Sequence, residues 1–254
     1  MIVESEAIVL KASRYSETSK ILTVYTRELG KIGLIARGAM QPKSKFAGVL
    51  QPLAYLGMVI YVKEGRGLQN LGSAETVRRF PTIAKDLDRT VVGLEIVELV
   101  SAAMHDQERN DSLFNLLLQA LQALNESHSD ARIVLLQFIT AFCAILGFAI
   151  RVNSCGICGE EVAMKEEGIP FSISAGAPLC SEHLSAATFQ VLSASTFNHL
   201  TKFVADGTDF SADVEISNIE IADLQDLLIR FLKFHVEGLR TLRVGGISST
   251  MRSK

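Results

Sequence analysis

The sequence predicts an α+β multi-domain protein: an N-terminal five-stranded barrel of the OB-fold type, followed by an α-helical domain carrying a small cysteine-rich insert. Three observations predict it. Between residues 5 and 80, short apolar and β-branched runs alternate with breaks holding Ser, Gly and Pro. After Pro81 the apolar residues switch to a helical period. Residues 151–180 then lose that period and hold four glycines, two prolines and three of the four cysteines. The 254 residues suit one to three domains, and 48% hydrophobic against 21% charged residues excludes a disordered chain.

The strands are expected at 7–10, 21–25, 32–36, 56–62 and, less regularly, 68–77, with turns at 13–19, at Gly30, at 38–52 and at 64–67. Five strands with one longer loop in the middle suffice for a small closed barrel; the OB-fold is the common five-stranded choice and an SH3-like barrel its rival. In the next segment Leu87, Val91, Leu94 and Val97 step by four and three residues, with Asp88 and Glu95 on another face. Leu113, Leu116, Leu117, Ala120, Leu121 and Leu124 repeat the pattern more cleanly. Residues 132–150 are nearly all apolar and read as a helix buried on every side. Its eighteen uncharged residues, 133–150, reach the lower limit for a membrane span, but Gln137, Thr140 and Gly147 interrupt them and a core helix explains them as well. Helical periodicity resumes at 185–204 and 219–243, where Asp223, Asp226 and Lys233 lie off the face made by Leu224, Leu227, Leu228 and Phe231. The expected divisions are a barrel at 1–80, helical parts at 81–150 and 185–244, an insert at 151–184 and a flexible tail at 245–254.

Charge is divided between these parts. Residues 1–80 hold twelve bases and six acids, a net +6, and the remainder is −9, which together give the formal −3 of the chain. A basic module joined to an acidic one fits a polyanion-binding domain carried on a domain that meets protein partners. The start, Met-Ile-Val-Glu-Ser-Glu, has acids where a secretory signal needs bases, so a cytoplasmic, reducing compartment is expected, in which clustered cysteines bind metal more often than they pair.

The strongest motif is Cys155-Gly156-Ile157-Cys158-Gly159, with twenty-one residues separating Cys158 from Cys180-Ser181-Glu182-His183. Each half is a tight knuckle, and three sulfurs with one imidazole complete a tetrahedral Zn2+ shell. A closed shell has no position for an activated water, so the expected zinc is structural and the insert a zinc finger, cross-linking a segment with no core of its own. Cys155 and Cys158 as a redox pair is the competing reading. Cys143 stands apart in the apolar helix as a small hydrophobe.

Several enzyme classes are excluded. The one H-x-E, His235-Val236-Glu237, lies downstream of the cysteines, and no proline directly precedes Cys155, so the zinc deaminase pattern fails. There is no G-x-x-x-x-G-K-[ST], no G-x-S-x-G, and Gly65, Gly67 and Gly72 miss the dinucleotide spacing. His105, His128, His199 and His235 have no partner in sequence. The expected protein is not an enzyme.

The second constellation belongs to the barrel. Arg14, Tyr15, Lys20, Arg37, Lys43, Lys45, Lys63 and Arg66 cluster in and beside the turns, and all four tyrosines (Tyr15, Tyr25, Tyr55, Tyr61) fall in this domain. Cations for phosphates with flat rings for unstacked bases suit single-stranded nucleic acid, although about half the tyrosines are expected in the core. An adaptor whose basic barrel binds an acidic protein is the alternative.

The strand Glu6-Ala7-Ile8-Val9-Leu10, the turn Arg14-Tyr15-Ser16-Glu17, the stretch Thr23 to Thr26 leading to Gly30-Lys31, and Ala36-Arg37-Gly38-Ala39 resemble the bacterial RecO family of recombination mediators. The similarity extends over the whole chain; Phe171 to Gly176 looks like the family's approach to its second zinc knuckle, where His183 stands in place of a fourth cysteine. The resemblance implies an OB-fold, a helical domain and a zinc finger. It also implies non-enzymatic binding of single- and double-stranded DNA, annealing of complementary strands, and work with RecR to load RecA onto DNA coated by single-strand-binding protein. The acidic C-terminal tail of that protein is then expected on the helical domain, with Arg132 or Arg151 at helix ends supplying charge, and the cell location is the nucleoid.

Overall fold

A computed structural model describes residues 1–46, 48–126, 130–162, 168–211 and 214–240. The expected tail at 245–254 and His128 lie outside these residues. The chain forms two compact units, one containing Met1–Glu126 and the other Ser127–Arg243.

In the first unit, β1 (Ile2–Arg14), β2 (Lys20–Thr26), β3 (Gly30–Ala36), β4 (Tyr55–Tyr61) and β5 (Leu68–Arg78) close into a barrel in the order β1-β2-β3-β5-β4, with β4 returning to β1. All neighbours are antiparallel except β3 and β5. A register shift between Val9 and Lys11 lets the early part of β1 serve β4 and the later part β2. Period-two alternation sends Leu22, Val24, Ile32, Leu34, Leu56, Met58 and Ile60 inward, and Phe46 and Leu50 from the long loop complete this core. Gly30 takes φ +64°, and a Cβ there would stand 2.2 Å from the carbonyl oxygen of Glu108, so the β2–β3 turn closes on the backbone before the third helix.

Helices α1 (Pro81–Lys85), α2 (Leu87–Ala103) and α3 (Asp111–Glu126) follow in the same unit. The short α1 is not visible as a periodicity; Pro81 starts it and Asp86 ends it, then caps α2 by accepting the Arg89 N–H at 3.1 Å. Helix α3 buries Leu113, Leu116, Leu117, Ala120, Leu121 and Leu124, the stripe its sequence sets. Helix α2 does not follow its expected face: Leu87 and Leu94 are exposed, while Val92, Ile96, Val100 and also Glu95 are buried. Apolar residues lie on all sides of α2, so periodicity selects no face and packing decides.

In the second unit α4 (Ala131–Ile145) is buried along almost its whole length, with Thr140 donating to the Leu136 carbonyl at 2.9 Å. It stops five residues before the expected end. Gly147 takes φ +90°, its N–H donates to Ala144 O at 3.1 Å and that of Phe148 to Cys143 O at 3.0 Å, a Schellman closure that satisfies the last carbonyls. Among the described residues no helix is long and apolar enough to cross a membrane.

The insert is a three-stranded sheet in which β6 (Ile169–Ser172) lies between β7 (Ala177–Pro178) and β8 (Gln190–Leu192). The helix expected from residue 185 is corrected: a 3-10 turn covers Ser181–Ala186, β8 follows, and helix α5 runs only over Ala194–Asp206. Residues 190–192 pair with β6 instead of making helical bonds to their neighbours, and Ser193 caps α5 by accepting from Thr196 N–H at 3.0 Å. Helix α6 (Asn218–His235) buries Leu224, Leu227, Leu228 and Phe231 and gives way at Val236, in extended backbone, to a 3-10 turn at Glu237–Leu239. It begins with a capping box in which Ser217 and Glu220 satisfy each other's backbone N–H groups.

Gly30→Ala should destabilise by more than the roughly 1–2 kcal/mol of left-handed strain alone, because its Cβ meets backbone; denaturant unfolding reads this. Bonds from the side chains of Ser195 and Ser217 hold the Glu220 carboxyl down at about 2 against an ordinary 4.5. Its folded pKa is depressed, so its stabilisation is complete above 4.5 and is lost as pH falls towards 2. Glu220→Gln should flatten stability against pH within that window in acid unfolding curves.

Candidate functional site

Cys155, Cys158, Cys180 and His183 converge, with one ligand atom from each lying within 4.8 Å of the others. The two knuckles meet because β6 and β7 return the chain to its start. Cys155 N–H donates to Glu160 O at 2.7 Å, Gly156 N–H to Pro178 O at 2.9 Å and Gly159 N–H to Cys155 O at 3.0 Å. Gly156 is needed for this approach, since a Cβ there would be 2.6 Å from that of Ala175. The Sγ atoms of Cys158 and Cys180 are 3.8 Å apart, about the edge of a tetrahedron with metal–sulfur bonds of about 2.3 Å, and well outside a disulfide. His183 presents Nδ1 to Cys180 Sγ at 3.1 Å.

Electrostatics suits the same role. Burial raises the Cys155 thiol, but backbone N–H groups of Cys158, Cys180 and Ile157 outweigh it and bring the thiol down to about 6. Against the Glu160 backbone N–H, burial and the Cys155 and Cys180 side chains raise the Cys158 thiol, so Cys155 ionises ahead of Cys158. Burial pushes the Cys143 thiol up, so it stays an inert core group. The donor set and its geometry fit a structural metal ion. Arg151, expected at a helix end, instead reaches the Gly156 carbonyl at 3.3 Å and the Ala175 carbonyl at 3.5 Å, buttressing the first knuckle. Arg132 binds Asp130 and Asn218.

On the barrel, Arg14 and Lys20 are cross-strand partners and Lys20 lies opposite Ala36, the residue before Arg37. The Met40 N–H donates to Thr18 O at 3.0 Å, which ties the long loop to the β1–β2 turn. Arg14, Tyr15, Lys20 and Arg37 therefore gather at one end, with Lys20 also donating to Leu50 O at 3.2 Å. Lys43 is exposed on the loop, and Lys45 crosses to β5, where its ammonium donates to the Gly72 carbonyl and lies 5.2 Å from the Phe46 ring. Lys63 and Arg66 are not part of this group. They lie at the opposite end, in a turn held by Gln69, whose amide donates to Lys63 O at 3.2 Å and Arg66 O at 2.9 Å, beside Glu28.

Another face has the opposite sign: Glu4, Glu6, Glu28 and Glu75 line a shallow cleft of about 580 Å³ with Arg27. Tyr25 and Tyr55 are buried by the Phe114 ring, at centroid distances of 6.5 and 6.3 Å, and burial raises both hydroxyls to about 12. Tyr15 and Tyr61 remain exposed. Sequence reasoning passed over Lys11, Arg78 and Arg79, all exposed on the same unit. Their signal was an exposed position in strand alternation for Lys11 and the end of β5 for the arginines.

The barrel is that of an OB-fold protein, and the knuckles bring together a Cys3His group that could hold a metal ion. Residues 1–80 match the family model described as Recombination protein O N terminal, and residues 84–243 that described as Recombination protein O C terminal. The DNA repair protein RecO of Salinibacter ruber is 37% identical over 168 residues, 66% of this chain and 64% of that protein. The DNA repair protein RecO of Bacillus cereus is 33% identical over 191 residues, 75% of this chain and 74% of that one. The chain belongs to the RecO family of DNA repair and recombination proteins.

Elemental analysis of the purified protein should find about one metal ion per chain. Stripping it with a chelator, or Cys155→Ser, should lower the thermal midpoint of the protein, and re-addition of the ion should restore it for the unmutated chain only.

Proposed function

We infer that this chain is a non-enzymatic DNA repair and recombination mediator. Its barrel, residues 1–80, binds single- and double-stranded DNA, and the protein anneals complementary strands. With RecR it helps to load RecA onto DNA coated by single-strand-binding protein, whose acidic C-terminal tail docks on the helical part. The ion in the 151–184 finger is structural Zn2+, favoured by three sulfurs and one nitrogen in a closed set. It works on bacterial DNA in the cytoplasm.

The observation that carries this reading is the gathering of Arg14, Lys20 and Arg37 at one end of the barrel, in a chain whose family is that of DNA repair protein RecO. Cations on a rigid barrel neutralise the phosphates of two strands at once, so their repulsion falls and base pairing supplies the driving force. No covalent step is required. Lys43 is exposed on a loop beside that end and Lys45 reaches from the same loop to β5; Lys63 and Arg66 would meet the same strand further along the barrel.

A labelled oligonucleotide titrated across a salt series, with annealing of its complement followed in the same samples, tests this. Tight binding that weakens steeply with salt, together with faster annealing, is expected. Joint Lys43→Glu and Lys45→Glu replacement should weaken binding to all sequences alike, on the order of tenfold, and lower the salt slope by about 0.7 for each phosphate no longer neutralised. Unchanged affinity and slope would remove these two lysines from the interface. No binding even at low salt would move the barrel's basic end to an acidic protein partner.

A further inference from the structure

Tyr61 is the last residue of β4, and its strand alternation sets it outside the barrel, because Leu56, Met58 and Ile60 fill the inside. It is 49% exposed. The neighbour that makes its position possible is Gly72 on β5: a Cβ there would stand 2.6 Å from Tyr61 Cε2, 3.3 Å from Cδ2 and 3.0 Å from the Val59 carbonyl oxygen. The Cε2–Cδ2 edge of the ring thus lies against the Gly72 backbone, while about half of the side chain meets solvent. Lys45 places its ammonium on the carbonyl oxygen of that same glycine. An aromatic ring fixed from behind and a cation beside it therefore share one residue as their floor.

The surroundings select the sign of a ligand. Following the pairing around the barrel, Ser13, Ile21, Ile35, Asn70, Tyr61 and Ile2 form one continuous row. The row beside it holds Lys11, Thr23, Gly33 and Leu68. Neither row has a carboxylate; the first one beyond them is Glu4, opposite Val59 one step from Tyr61, and Glu6 and Glu75 flank Gly57 further along that face. Gly33, where a Cβ would be 2.7 Å from a Leu68 methyl, keeps the strip low. These rows run round the outside of the closed barrel, with Lys11 in one, Tyr61 in the other and the Lys45 ammonium at Gly72 beside the ring.

We propose that Tyr61 is the platform on which one unpaired base of a bound single strand stacks, with Lys45 holding the neighbouring phosphate. The proposal rests on the nucleic-acid reading above and gives it a means of telling single strands from duplex. A duplex keeps its bases stacked on each other and offers only phosphates, which the cations hold; an unpaired base has a free face for the ring. Because Gly72 already fixes the ring, little side-chain entropy is lost on stacking.

The test is fluorescence anisotropy of labelled oligothymidylate and of a labelled duplex with the full-length protein, its Tyr61→Leu and its Tyr61→Phe variants. Thermal midpoints are measured alongside. Tyr61→Leu should weaken single-strand binding by roughly 5- to 150-fold, the range for losing one stacked base, with the salt slope and duplex affinity unchanged. Tyr61→Phe should bind as the unmutated protein does. Equal single-strand affinity of the Leu variant, or equal losses for single strand and duplex, would overturn the platform while leaving DNA binding intact. If the unmutated protein binds neither probe, the nucleic-acid reading itself falls.

Discussion

The parallel ladder between β3 and β5 is the interaction on which the first unit depends. Without it the five strands are an open sheet with two exposed edges; with it every strand has two neighbours and no edge remains. Closure brings Leu68 opposite Gly33, where a Cβ would stand 2.7 Å from a Leu68 methyl. Once the sheet is closed, each strand residue is committed either to the core or to the outside. Charged residues of the first eighty positions are then left only the outer rows and the turns at the two ends.

Those outer rows do not share one fate. Helix α3 lays Phe114 against Tyr25 and Tyr55, and the Arg27 guanidinium stands 4.2 Å from that ring while bonding Glu6 at 3.0 Å and Asn115 at 2.9 Å. The Tyr55 side chain hydrogen bond, ahead of the Arg27 interactions and against some burial, lowers the Glu6 carboxyl. This aromatic and ionic knot consumes one part of the outside of the barrel. What it leaves uncovered differs in sign, with acids lining the β1–β4–β5 cleft and Arg14, Lys20 and Arg37 gathered at the β1–β2 turn.

The second unit is organised on a different basis. Its helices bury long apolar stripes, while the segment around the knuckles has short strands and a 3-10 turn and buries only Ile169, Phe171, Leu179 and Leu192 as large side chains from residues 168–192. Such a segment needs a cross-link, and the Cys155, Cys158, Cys180 and His183 set supplies the donors for one. The barrel is thus held by a hydrophobic core, while the finger brings a set of metal donors together.

The strands, the stripe of α3 and the metal donor set were legible in the sequence, because each depends on residues a few positions apart: alternation by two, repetition by three and four, knuckles of two. Less was legible where competing interactions come from far along the chain. The buried face of α2 was misjudged because its apolar residues surround it. The end of α4 turned on the left-handed backbone of Gly147, and residues 190–192 became a strand because β6 was available to pair. The sequence by itself determined that strand residues alternate between two sides, since parity is a local property, and that Tyr55 and Tyr61 fall in the barrel domain. Only the tertiary structure decided that Phe114 covers Tyr55 and leaves Tyr61 open, and that Lys45 reaches Gly72 while Lys63 and Arg66 stand at the other end. Coverage and convergence are set by segments distant in sequence, and no local pattern encodes where such segments meet.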